Sequence, residues 1–138
     1  LTYKKLDFGV FFNGSAQRKI MINNAMTEFG ERNNNVMQWI ADDHWSIDNP
    51  NPDAAFPRLG LSNTDIKNNK EASSHWLRNG NFIRFKTLEV GYSFPHCRVY
   101  FSGDNLAVWS PFKLWDPELS WNAYPLQRTF NFGVQLNF

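Results

Sequence analysis

Six residues in the last third of the chain have the side-chain types that sugar-binding sites use. Flat aromatic rings stack on the apolar CH faces of sugars, and neighbouring carboxylate and amide groups form hydrogen bonds with hydroxyl groups. The six candidates are Trp109, Trp115, Asp116, Trp121, Asn122 and Tyr124. The alternative role is structural, because Trp and Tyr also collect at the level where a membrane meets water. These residues therefore predict either a binding rim or an interfacial aromatic belt.

No arrangement of residues in the sequence predicts catalysis. His44, His75 and His96 are widely spaced, and the sequence contains no HExxH, no GxSxG and no pair of cysteines. Asp42-Asp43-His44 could suggest metal ligands, but hydrated loop charge is the more common role of such a run. We therefore expect a protein that is not an enzyme and that uses no metal or cofactor. The net charge of +1, without a basic stripe, argues against nucleic-acid binding.

The chain ends in an alternating segment, residues 128–138. Its apolar positions fall on one face of an extended strand, and uncharged polar residues and a glycine fall on the other face. The apolar positions are Phe130, Phe132, Val134, Leu136 and Phe138. About ten alternating residues is the length of one transmembrane β-strand. An exposed apolar strand would template aggregation in water, so we expect it to be paired or to face lipid.

Four further segments alternate in the same way, which gives predicted strands at about 2–12, 18–29, 81–94, 98–109 and 128–138. We place the first short turn at Asn13-Gly14, which is a strong hairpin signal, and the second at Pro95. Apolar parity slips twice, and we explain the slips by a β-bulge near Lys86 to Thr87 and a break at Gly103. Phe12, Phe94 and Phe138 are then expected at one end of the sheet. The polar-face glycines Gly9, Gly91 and Gly133 predict close approach of another backbone.

Long segments at about 30–74 and 110–127 connect the predicted strands at the end opposite to the short turns. This asymmetry is typical of bacterial outer-membrane barrels, whose long loops are extracellular. No run approaches the ~18 consecutive apolar residues that a membrane-spanning helix needs. Barrel strands alternate apolar and polar residues, so a search for long apolar runs does not detect them. Two alternatives are a soluble carbohydrate-binding β-sandwich and a self-contained eight-stranded barrel; the second needs more strands than we find.

Several stretches resemble one protein family in sequence, order and spacing. They are Trp76 to Pro95, Arg98 to Leu106, Trp115-Asp-Pro-Glu118 and Tyr124 to Gly133. The likeness spans nearly everything from Asp48-Asn-Pro-Asn-Pro52 and Phe56-Pro-Arg-Leu59 to Phe138, and Tyr3 to Gly14 is also similar. Together they look like the carboxyl-terminal end of SusC/RagA-type TonB-linked outer-membrane transporters. The resemblance implies an all-β fold: an antiparallel transmembrane β-barrel segment that forms the last five strands of a 22-stranded barrel. We therefore interpret the chain as the end of a longer precursor.

The resemblance also implies a function in nutrient import across the outer membrane of a Gram-negative, Bacteroidetes-like bacterium. Energy would come from the TonB complex through an amino-terminal part that this chain does not contain. A SusD-like surface lipoprotein would act as the lid, commonly in a dimer of transporter–lipoprotein pairs, and the rim aromatics could contact it. Oligosaccharides are the expected cargo and peptides the alternative. The strand that ends at Phe138 is expected to be the recognition signal for barrel assembly in the lipid of the outer membrane.

Overall fold

The computed structural model describes residues 1–23, 35–60, 67–121 and 123–137. Its strands are β1 (Thr2–Tyr3), β2 (Leu6–Ser15), β3 (Lys19–Met21), β4 (Leu77–Asn79), β5 (Phe82–Ser93), β6 (Cys97–Trp109) and β7 (Thr129–Leu136). Two short helices, α1 (Gln38–Asp42) and α2 (Lys67–Lys70), and a 3₁₀ turn at Ser74–Trp76 complete the described elements. The chain divides into two compact units, residues 1–19 with 79–138, and residues 20–78.

The first unit is a five-stranded antiparallel sheet in the order β1-β2-β5-β6-β7. Strands β2, β5 and β6 have 10, 12 and 13 residues. These lengths reach or exceed the 9 to 11 or so residues that a tilted strand needs to cross a bilayer. The sheet is open, so the barrel is not closed within this chain. The expected all-β antiparallel architecture is confirmed.

One face of the sheet carries apolar side chains in cross-strand rows. From the short-turn end, the rows are Leu6, Tyr92, Val99 and Val134; Phe8, Val90, Phe101 and Phe132; Val10, Leu88, Gly103 and Phe130; and Phe12, Phe85 and Ala107. Phe132 is 73% exposed, and each of the other strands in these rows also carries exposed apolar side chains, among them Val10, Tyr92 and Phe101. The alternating apolar residues of β7 therefore lie on an exposed face of the sheet. We call the face that carries these rows the apolar face. Phe138 lies outside the described residues.

The prediction of a hairpin turn at Asn13-Gly14 is wrong. Strand β2 continues through both residues and pairs with β5, where Asn13 is opposite Arg84 and Gly14 is opposite Ile83. A turn at Lys4-Lys5, where Lys4 has a φ of 54°, also divides the predicted strand 2–12 into β1 and β2. Phe12 consequently lies toward the end of the sheet opposite to Phe94, so these two residues do not share one end.

The two parity slips lie side by side in β5 and β6. Register shifts in both ladders at Lys86, which confirms the predicted bulge near Lys86 to Thr87. On β6 the shift falls between Asp104 and Ala107, where Asn105 has a φ of 53°, and not at Gly103 as predicted. Asn tolerates this left-handed conformation better than most residues, which explains why the irregularity falls there.

The second unit, residues 20–78, has its own small core. Trp76 is 2% exposed, and Ile22, Ile40 and Phe56 are also buried. The Phe56 ring contacts the rings of Trp39 and Trp76, with centroids 5.2 and 6.4 Å apart. Strands β3 and β4 pair in a separate two-stranded sheet. The described part of residues 30–74 thus contains regular structure and a packed centre.

The predicted strand at 18–29 corresponds in the described residues only to β3, which joins β4 and not β2. Residues 24–29 of that prediction lie outside the described residues. In the part of the chain that the structure describes, no helix has the length and apolar character to cross a membrane.

Candidate functional site

A buried arginine anchors the last long loop to the polar face of the sheet. Arg84 lies on β5, and its side chain is 3% exposed. Its Nη2 donates to both oxygens of Asp116, at 2.5 and 2.7 Å, and its Nε donates to Oε2 of Glu118 at 2.8 Å. Charge-assisted hydrogen bonds of this kind are about twice as strong as neutral ones. Two carboxylates therefore offset the cost of burying one guanidinium group.

Further hydrogen bonds hold the same loop segment in shape. Nδ2 of Asn13 on β2 donates to Oε1 of Glu118 at 3.1 Å. The backbone N–H of Glu118 donates to Oδ1 of Asp116 at 3.0 Å, and that of Leu119 donates to the Asp116 carbonyl oxygen at 3.0 Å. Asn13 and Arg84 are cross-strand neighbours, so the loop spans two strands. Residues 112–119 are therefore held against the polar face.

A cavity of about 300 Å³ opens beside this anchor. Its walls are Val108, Ser110, Phe112, Lys113, Trp115, Asp116 and Pro117. The rings of Phe112 and Trp115 meet edge to face with centroids 4.7 Å apart. Val108 is paired with Arg84, which puts the cavity on the polar side of the sheet. An aromatic wall, a cation and a carboxylate around one cavity can both stack a ring and hydrogen-bond polar groups.

The indole N–H of Trp115 is buried and has no acceptor among the residues that the structure describes. A buried donor without a partner costs roughly 1–3 kcal/mol. Trp115 is therefore the cavity residue whose buried donor lacks a hydrogen-bond partner among the described residues.

The structure separates the six candidates named from the sequence. It brings Trp115 and Asp116 together at the cavity, whereas Trp109 lies in the row of Ile83 and Gly14 on the apolar face. Trp121 and Tyr124 do not line the cavity; Tyr124 is 78% exposed, and its hydroxyl accepts a 3.4 Å hydrogen bond from Gln127. Asn122 lies outside the described residues. The candidates therefore do not form one surface.

Sequence reasoning missed Arg84 and Glu118. Both residues lie in the stretches that carry the family resemblance, but 34 positions separate them, and no local pattern pairs them. The only signal in the sequence is a cation on the polar face of a predicted strand. Asp116, which we considered for ligand contact, directs both carboxylate oxygens to Arg84. Asp116 therefore holds the loop to Arg84 and also lines the cavity.

A second polar cluster lies on the same face near the short-turn end. Arg98 forms ion pairs with Asp7 and, at 2.6 Å, with Glu89. These groups fill the space over Gly91, where a Cβ atom would lie 2.5 Å from Nη2 of Arg98. The Tyr100 ring likewise covers Gly133. At these two glycines the close neighbours within this chain are side chains, and the approach of a backbone from a part of the protein outside this chain stays a prediction. At Gly9 the nearest atom would be Cβ of Glu89, at 3.9 Å.

The residues considered as metal ligands have a local role. Nδ1 of His44 lies 2.7 Å from the carbonyl oxygen of Ala41, and the Asp43 carbonyl oxygen accepts a hydrogen bond from the N–H of Phe56. Both contacts stay within the second unit.

The whole chain is similar to known proteins in sequence and in structure. Two TonB-dependent receptors of Formosa agariphila, P26 and P3, are 28% and 27% identical over 100% of this chain. Solved structures of the RagAB peptide importer, in the open-open and closed-closed states, match 99% of the chain with a TM-score of 0.68 and 26% identity. The chain has the fold of the matching segment of the β-barrel in the SusC/RagA-type transporter structure. The family resemblance found in the sequence is therefore confirmed.

The likeness covers only part of each relative. The chain spans 16% and 15% of the two TonB-dependent receptors and 16% of the RagAB chain. No family model matches the chain. The barrel likeness also overturns the alternative of a soluble carbohydrate-binding β-sandwich, since the apolar face belongs to a barrel wall and not to the interior of two packed sheets.

Proposed function

We propose that this chain is the carboxyl-terminal part of the barrel of an outer-membrane TonB-dependent nutrient importer. The observation that carries the proposal is the two-faced sheet, in which exposed apolar rows lie opposite a face of ion pairs and hydrogen bonds. A barrel wall needs this distribution, because lipid contacts one side and a polar interior contacts the other. The likeness to TonB-dependent receptors supports the same conclusion.

The polar face becomes the inner wall of the barrel under this proposal. The anchored loop then folds inward, and the Trp115 cavity opens toward the path of the cargo. An oligosaccharide is the cargo that this cavity favours, because a sugar ring can stack on the indole ring and its hydroxyl groups can accept from Lys113. Oligosaccharides are therefore the proposed cargo.

A peptide is the second candidate cargo. Its support is the likeness to the RagAB peptide importer at 26% identity. Lys113, which lines the cavity, would pair with a carboxylate of a peptide. The two cargo classes differ in their need for that charge, because a neutral sugar has no carboxylate.

The proposed partners follow from the same family. A SusD-like surface lipoprotein would cover the outer mouth, the TonB complex would act through the rest of the transporter, and two transporter–lipoprotein pairs would form a dimer. Exposed rim residues such as Tyr124 and Trp121 are the candidates for contact with the lipoprotein. Trp109 lies on the apolar face, which favours contact with membrane lipid for that residue.

The test uses the full-length protein in its own cells. Fractionation should place it in the outer membrane, and deletion of its gene should abolish uptake of a fluorescent oligosaccharide mixture while uptake of labelled peptides continues. Loss of peptide uptake alone would select the second cargo. Recovery of the protein outside the outer-membrane fraction would overturn the proposal.

A further inference from the structure

A second and larger cavity lies at the end of the sheet opposite to the short turns. It has a volume of about 580 Å³, and its walls include Gly14, Ala16, Ile83, Trp109 and Pro111. Ligand sites in proteins commonly have volumes of about 300–1,000 Å³. We call this cavity the upper groove. All of its walls belong to the first unit.

Strand register places the upper groove on the apolar face. Gly14, Ile83 and Trp109 are paired across β2, β5 and β6 and form the next row beyond Phe12, Phe85 and Ala107. In that neighbouring row the Phe12 and Phe85 rings stack with centroids 4.7 Å apart. Ile83 and Trp109 are both more than half exposed. The groove is therefore continuous with the surface that the proposed function assigns to lipid.

Two small residues, Gly14 and Ala16, border the groove. A Cβ atom on Gly14 would lie 2.6 Å from the carbonyl oxygen of Phe82, so no larger residue fits there without a backbone shift. Ala16 adds only a methyl group, while Ile83, Trp109 and Pro111 supply the bulky walls. The close approach of β2 to β5 at Gly14 therefore forms one wall of the groove, and the side chains of Ile83 and Trp109 form others.

We propose that the upper groove is a binding site for one acyl chain of a membrane lipid. The inference rests on the proposed function, which puts this face in the outer membrane. An occupant must be apolar and must arrive from the surface that continues into the groove, and an acyl chain meets both requirements. Trp109 beside it has the amphipathic ring that proteins place at the level where acyl chains meet headgroups.

The experiment uses the full-length transporter reconstituted in vesicles of phosphatidylethanolamine and phosphatidylglycerol. A small fraction of the phosphatidylethanolamine carries a diazirine on one acyl chain, and cross-linked peptides are mapped by mass spectrometry after illumination. Cross-links should concentrate at least about five-fold at residues 109–111 over the apolar positions of β7. Ala16→Phe, which fills the groove, should remove that excess.

Val10→Phe is the matched control, because it adds the same ring to the apolar face outside the groove. It should leave the excess at residues 109–111 unchanged, and both variants should keep their heat-resistant mobility on gels. Uniform cross-linking along the apolar face, or equal loss in both variants, would overturn the lipid site. If the protein still fractionates with the outer membrane, either of these two results leaves the proposed function intact. Absence of the protein from the outer membrane would contradict both the lipid site and the proposed function.

Discussion

Replacing Arg84 should release the anchored loop without unfolding the sheet. Arg84→Met keeps much of the side-chain length but removes three charge-assisted hydrogen bonds to Asp116 and Glu118. Breaking a buried ion pair on one side costs about 3–5 kcal/mol. The two carboxylates remain 14% and 29% exposed, and water can reach them in part, so we expect about 3 kcal/mol. The loss is local, because the loop and not the strand ladder depends on these contacts.

Such a loss corresponds to roughly a 100-fold larger open population of the loop, since each 1.4 kcal/mol or so is a factor of ten. Hydrogen exchange followed by mass spectrometry measures it directly. The amides of Glu118 and Leu119 are the reporters, because both donate to Asp116 in the closed arrangement. Their exchange should accelerate about 100-fold, while the amides of β5 and β6 keep their protection.

Two controls separate the ion pair from a general effect of losing a cation. Arg128→Met removes an exposed arginine just before β7 and should leave the exchange of the loop unchanged. The triple variant Arg84→Met, Asp116→Asn, Glu118→Gln removes the unpaired charges and should recover part of the lost protection. Unchanged exchange in Arg84→Met, or equal acceleration in Arg128→Met, would refute the assignment of Arg84 as the anchor.

Three further results are expected. Trp115→Ala should fold normally but weaken cargo binding about five-fold, which corresponds to roughly 1 kcal/mol of lost stacking. Trp109→Ala should leave cargo binding unchanged. Equal binding curves for the two variants would show that the cavity does not contact the cargo. Phe138→Ala should lower the folded amount in the outer membrane, measured as heat-resistant protein, and wild-type levels would contradict an assembly signal at that residue. A tag at Asn68 should bind antibody on intact cells, while Cys97 should react with a polar maleimide only after permeabilisation; the opposite pattern would reverse the orientation.

The regular part of the sheet could be predicted from alternation alone. In β7, and in the halves of β5 and β6 on either side of Lys86 and Asn105, every second residue belongs to one face, so periodicity defines both the strand and its orientation. The bulge at Lys86 could be predicted because one extra residue in a continuous strand moves the following apolar side chains back to the same face.

Prediction failed where a local signal competed with long-range pairing. Asn13-Gly14 has the sequence of a hairpin turn, yet pairing with β5 keeps both residues extended, and Gly14 is needed for close approach to the backbone of Phe82. The turn at Lys4-Lys5, inside the predicted strand 2–12, was not predicted because Lys4 adopts a left-handed conformation that its residue type does not favour. The link of Arg84 to Asp116 depends on the folded path of 32 residues, so no spacing rule could reveal it.

The central claim is that the apolar face contacts lipid while the polar face contacts the barrel interior. Two neighbouring β7 residues test it most directly, because Asn131 and Phe132 lie on opposite faces. Each is changed to cysteine in a full-length protein without other cysteines, labelled with a fluorophore, and reconstituted with nitroxide-labelled lipid or with an aqueous quencher. The lipid nitroxide should quench the label at Phe132→Cys and the aqueous quencher the label at Asn131→Cys. Equal quenching of the two labels by each reagent would contradict a membrane-spanning, two-faced barrel wall.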